Sequence, residues 1–169
     1  MIYLHQKKEG NMNIRLYLKD YPYINDEVLS LQKELNQLIR NKHEAYCTLQ
    51  SVDFSGVPSG NTNKIYDVSN TVQILIDRFD QKILYYTNKI NAILDEKALF
   101  EKAWFNADLT YEDRKIIQLK CFEHKSWRDI AKTVKYSDKQ CQRLFDKAVA
   151  KIQLEVDKLL SLSEERRLS

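Results

Sequence analysis

The chain has 169 residues and a formal net charge of only +3, a length that suits one or two small domains able to bury roughly 70% of their unfolded surface. Gly (3) and Pro (2) are few, charged residues reach 30%, and helix formers dominate. No alternating strand pattern stands out beyond the short ambiguous stretch Met1 to Leu4. The composition therefore excludes a strand-rich fold, and the expected class is all-α. No apolar run approaches the ~18 residues of a membrane span and no signal peptide is visible, so cytoplasm is the expected compartment. Cys47, Cys121 and Cys141 are odd in number and widely spaced, which argues against a secreted disulfide framework.

In chain order, the residues before Met12 show no periodicity, and translation starting at Met12 would serve as well as Met1. A first helix is expected from Asp26 to about Tyr46, where Val28, Leu31, Leu35 and Leu38 fall at helical spacing. Residues 51–63, SVDFSGVPSGNTN, hold two of the three glycines and one of the two prolines, and read as a loop. From about Asp67 to Phe105 the residues Val72, Ile76, Phe79, Ile83, Tyr86, Ile90 and Ile93 alternate spacings of four and three. Lys97 interrupts, then Phe100 and Trp104 resume. That is a heptad seam on a long helix, able to pack on the first helix as an antiparallel hairpin or on its copy in a second chain. Spacing alone does not choose between these, though the seam is longer than the first helix can cover; a homodimer through residues 67–105 is the favoured assembly and a monomeric helical bundle the alternative. Residues 1–108 are thus read as a helical hairpin and oligomerisation region.

The stretch 109–162 reads as a separate module, with 163–169 as a polar tail. Three helix starts lie close together in it. Thr110 with Asp113, Ser126 with Asp129 and Ser137 with Gln140 each place a hydroxyl three residues before an acid or amide, the capping-box spacing. Helices beginning at Tyr111, Trp127 and Asp138 with short connections describe a helix-turn-helix with a leading helix. Between Thr110 and Lys151 eleven Lys/Arg face six acids, a local charge of +5 that leaves −2 for the rest of the chain. A basic third beside a mildly acidic remainder suits phosphate attraction. Cys141, Leu144 and Ala148 should face the module's core, with Ile152 beyond them. Asp138, Lys139, Gln140, Gln142 and Arg143 then crowd the outer face near the start of the last helix, where Arg can pair with guanine and Gln with adenine.

On these residues the chain resembles the C-terminal, promoter-reading domain (region four) of bacterial sigma factors. The shared pattern is Arg114, Ile117, Leu119, Phe122, Ser126, Ile130, Ala131, Ser137, Arg143, Leu144 and Ala148. More narrowly it resembles small phage regulators of the RinA/ArpU kind, on SGVPSG (Ser55 to Gly60), SWRDIA (Ser126 to Ala131) and YSDKQCQRLFDKA (Tyr136 to Ala148). The sigma resemblance implies that Asp138, Lys139, Gln140, Gln142 and Arg143 enter the major groove and read bases. Phosphate anchoring is expected from Arg114, Lys125, Arg128, Lys132, Lys135 and Lys147 around that reader. The first reading position is acidic and would accept from cytosine. His124 and Lys135 stand at turns where sigma domains often carry Gly. A non-glycine residue at positive φ costs roughly 1–2 kcal/mol, so either these turns avoid the left-handed region or the inter-helix angle differs.

Catalysis finds little support. His5 and His43 have no partner signature, Cys121 and Cys141 occupy apolar helical positions, and a zinc site with His124 would lack its fourth ligand. No phosphate loop, nucleotide fingerprint or nucleophile elbow is present, so no enzyme, cofactor or metal is expected. Trp127 is expected in the core or at its boundary, with an indole N–H directed to a phosphate as the alternative. The resemblance implies a sequence-specific DNA-binding activator of phage late or packaging genes, with double-stranded DNA and RNA polymerase as partners. A DNA-binding packaging protein of the small-terminase type is the alternative, and a true sigma factor fits least.

Overall fold

The computed structural model describes residues 12–50 and 62–168, and every regular element among them is helical. The expectations for Met1 to Leu4, for a start at Met12 and for the SGVPSG loop fall wholly or in part outside the described residues. The elements are α1 (Ile14–Asp20), a 3-10 turn (Tyr21–Tyr23), α2 (Ile24–Gln50), α3 (Thr62–Asn106), α4 (Tyr111–Ile117), a π turn (Gln118–Phe122), α5 (Trp127–Val134) and α6 (Asp138–Leu168). The last three helices begin where the hydroxyl spacing placed them. The long helices extend past their expected ends, and the supposed polar tail continues α6 through Leu168. Ser-Leu-Ser-Glu-Glu-Arg-Arg holds no Gly or Pro to stop it.

Contacts divide the chain into two compact units, one taking residues up to Ile24 and from Asp95 onward, the other Asn25–Leu94. The boundary expected at 108/109 falls inside the first unit. α1, which has no counterpart in the expectations above, supplies the reason. Ile14 and Leu18 are fully buried and Tyr17 nearly so, which draws this short amphipathic turn into the C-terminal core.

In the unit Asn25–Leu94, the α2–α3 links run in opposite directions along the two helices. Glu27 pairs with Lys89 at 3.9 Å, Glu34 accepts from Tyr86, and Lys42 pairs with Asp80. Residue numbers rise along α2 as they fall along α3, so the helices are antiparallel. Val28 and Leu31 of α2 and Ile76, Ile90 and Ile93 of α3 are buried, and Val72, Phe79, Ile83 and Tyr86 are half-buried. The seam read from spacing is thus the covered face of α3. Leucines and aromatics elsewhere on α3 stay in water, Leu84 at 61% and Tyr85 at 59% exposed.

The other unit packs α4, the π turn, α5 and α6 with α1 and the end of α3. Its core holds Phe100, Ala103, Ile116, Ile117, Leu119, Cys121, Ile130, Cys141, Phe145, Ala148, Val149, Ile152 and Val156. In the π turn the Glu123 N–H donates to the Gln118 carbonyl five residues back at 3.1 Å, and Leu119 and Cys121 are its buried residues. An aromatic cluster ties α1 in, with Tyr17 5.1 Å and Tyr21 4.9 Å from the Phe100 ring centroid and Tyr21 stacked on Phe122.

Candidate nucleic-acid interface

The start of α4 carries a complete capping box. Thr110 Oγ1 accepts from Asp113 N–H, and the Asp113 carboxylate accepts from Thr110 N–H, both at 3.2 Å. Asp113 is 5% exposed, and Lys151 of α6 offsets its charge from 3.9 Å. The same lysine donates to the Asp108 carbonyl, pinning the connection into α4.

The other two starts are capped in one direction. Ser126 Oγ accepts from Asp129 N–H but donates its own proton to the Asp129 carboxylate at 2.6 Å, so that carboxylate serves the hydroxyl. Ser137 Oγ accepts from Gln140 N–H at 3.2 Å, and the Gln140 side chain lies exposed.

Both glycine-free turns take the strained course. His124 has φ 52° and Lys135 has φ 61°, left-handed values that disfavour a Cβ. At Lys135 the backbone closes α5 in a Schellman-type ending, with Tyr136 N–H donating to the Ala131 carbonyl at 3.2 Å. At His124 the imidazole stacks against Tyr23, and the Tyr23 hydroxyl lies 3.2 Å from Nε2. The turns keep the left-handed conformation that glycine serves without cost, and local contacts hold them there.

With its start fixed, α6 turns its faces as follows. Cys141, Phe145, Ala148, Val149 and Ile152 are buried. Leu144, expected in the core, is only half-buried, and Phe145 takes the place at i+4 instead. A stripe centred on Cys141, Phe145 and Ala148 faces the core where α1 and α5 also press on α6. Phe145 meets the Trp127 ring edge-on at 5.5 Å, which leaves Trp127 at the boundary as expected.

Asp138, Lys139, Gln140, Gln142 and Arg143 are all exposed. Lys139, Arg143 and Lys147 lie four apart and form one stripe, while Asp138, Gln142 and Asp146 form the next. Arg15 of α1 pairs with Asp146, so that acid does not stand alone beside the outward face. Lys125, Arg128, Lys132, Lys135 and Lys147 are likewise exposed, and Arg128 and Lys132 share a face of α5. Arg114 differs. It is half-buried with its guanidinium 5.3 Å above the Trp104 ring, an engagement worth about 0.5–2 kcal/mol that competes with phosphate contact.

Cys121 and Cys141 are buried thiols. Burial pushes the Cys121 thiol up to about 11, against the opposing pull of Lys120, Lys19 and Arg15. Burial also raises Cys141, with Asp138 adding to it. Arg15, Lys19 and Lys120 are the cations that sequence reasoning missed. For Arg15 and Lys19 the signal was present in IRLYLK, where Ile14, Tyr17 and Leu18 form one apolar face and the two cations stand four apart beside it. Comparison of this chain with known protein families, curated proteins and solved structures finds no match in any of the three.

Proposed function

We propose that the chain is a sequence-specific DNA-binding transcriptional regulator. Residues 109–162 act as a helix-turn-helix of the sigma region-four kind, and α6 is the reading helix. One observation carries this reading. Five polar side chains suited to base edges are exposed together at the start of a capped helix whose opposite face is a fully buried apolar stripe. Exposed Lys125, Arg128, Lys132, Lys135 and Lys147 supply the surrounding phosphate contacts. The cation–π contact of Arg114 makes it a support for the α4 start rather than a main phosphate anchor.

In this reading α3 pairs with α3 of a second copy through its exposed apolar residues, and the dimer sets two reading helices on a two-fold operator. The regulator activates late or packaging genes of a phage and works beside RNA polymerase. The test is selection of bound duplexes from a random-sequence library by the full chain at near-physiological salt, followed by affinity measurement on the enriched site. An enriched motif supports the proposal. Salt-sensitive binding without enrichment reduces α6 to a basic surface, and absence of binding removes the proposal.

A further inference from the structure

In the unit that holds α6, α1, the π turn, α5 and α6 border a half-open pocket of about 390 Å³, within the range of roughly 300–1,000 Å³ typical of small-molecule sites. We propose that this pocket is a phosphate site. It takes the phosphoryl group of a nucleotide on Arg15, Lys19 and Lys120, with the ring body against Trp127 and Phe145.

Charge makes the case. Three cations from segments distant in sequence converge on one cavity, and no Asp or Glu lines it. Arg15 is satisfied by Asp146. Lys19 and Lys120 make no ion pair among the described residues. Besides the Trp127 and Phe145 rings, the remaining lining groups are Cys121 and His124. Burial raises the thiol further above its ordinary range, so at pH 7 it supplies no counter-charge. Two lysines without an ion pair thus face one space, a local excess of positive charge that an entering anion would offset. A carboxylate brings one negative charge, whereas a phosphate monoester brings about −1.5 to −2 and three acceptor oxygens, the better match to the unpaired charge.

The walls favour a phosphate carried on an apolar body. Arg15 lies 5.7 Å from the centroid of the Phe145 ring and Lys120 4.8 Å from that of Trp127. Each cation thus lies over the face of a ring that lines the same pocket. Lys120 also donates to the Lys125 carbonyl at 3.2 Å, which positions its ammonium. A nucleotide joins ring and phosphate in one molecule, whether free in solution or part of a DNA backbone.

Two arms test the site and separate the sources. In the full chain carrying Trp104→Phe, Trp127 is the only indole, and its fluorescence is followed during titration with adenosine monophosphate and with inorganic phosphate. A saturable change with the nucleotide is expected, weaker with phosphate alone, and at least tenfold weakened by Lys19→Ala with Lys120→Ala. The second arm compares the salt dependence of DNA binding in the same double variant and in Lys132→Ala. A slope reduced by about 1.8, two phosphates' worth, identifies the DNA backbone as the source.

A response in either arm supports the phosphate site, and silence in both overturns it. Thermal unfolding of the double variant guards against misfolding, and Lys19→Gln alone, on an exposed position, repeats the test with little perturbation. The nucleotide arm uses no DNA, so its result stands apart from the reading assigned to α6.

Discussion

Lys135 ends α5 with φ 61°, where a Cβ costs roughly 1–2 kcal/mol and glycine costs nothing beyond its greater freedom in the unfolded chain. Lys135→Gly is expected to stabilise the protein by about 1 kcal/mol in urea denaturation followed by circular dichroism. A loss of stability would mean that the Schellman ending needs more of the lysine than its backbone. His124 adopts the same region but holds Tyr23 through its ring. His124→Gly gains the same conformational relief and forfeits that contact, so its net gain should be smaller. At Arg143 the consequence lies in binding. Arg143→Ala is expected to cost about 1–3 kcal/mol on the selected site and little on random DNA. Equal losses on both would make it a phosphate contact. Hydroxyl spacing made all three helix starts legible at this scale, because a cap needs only four consecutive residues. Whether a box closes in both directions was not legible, since the Asp129 carboxylate had a hydroxyl as well as a backbone N–H within reach.

At the scale of elements, the two long helices were readable because their apolar residues repeat over many turns. The face of α6 was readable only to within one position. Leu144 and Phe145 are adjacent apolar residues, and either completes a helical stripe with Cys141 and Ala148. The position of α1 and Trp127 selects Phe145, which is 7% exposed. Phe145→Ala is therefore expected to cost about 3–5 kcal/mol, and Leu144→Ala clearly less, by equilibrium denaturation. The reverse order would rotate α6 and move its reading face. α1 escaped notice because seven residues hold too few turns for periodicity to stand out, and the π turn because no local composition marks it.

Over the whole molecule, the return of α1 to the C-terminal unit has a titratable consequence. Burial first, then the hydrogen bond and charge of Glu101, push Tyr21 up to about 12, and burial with Glu96 pushes Tyr17 higher still. Both phenols are favoured neutral in the fold, while in the unfolded chain they ionise near 10. Their contribution is fully present below pH 10 and is lost as pH climbs from 10 towards 12 and above. Denaturation midpoints measured between pH 8 and 12 should fall across that window, less steeply in Tyr21→Phe. An unchanged slope would remove Tyr21 as the cause.

Assembly is the other prediction at this scale. Along α3, the exposed Leu75 and Tyr85 and the half-buried Phe79 line a groove of about 420 Å³ together with Arg78 and Lys82. Sedimentation equilibrium of the full chain is expected to give a dimer that Leu75→Glu with Tyr85→Glu converts to monomer. A monomeric wild-type chain at micromolar concentration would end the dimer reading.

What the sequence by itself determined is whatever depends on near neighbours: the all-α class, the three capped starts near the C-terminus, the seam of α3 and the exposed polar group at the head of α6. Caps and periodicity are interactions within a few turns, so linear order encodes them directly. Tertiary structure alone decided which of Leu144 and Phe145 is covered, that Arg114 rests on Trp104, that α1 joins the C-terminal core, and that Arg15, Lys19 and Lys120 surround one pocket. Each of these joins groups from different helices, and such pairings follow from how apolar faces pack, which no local spacing records.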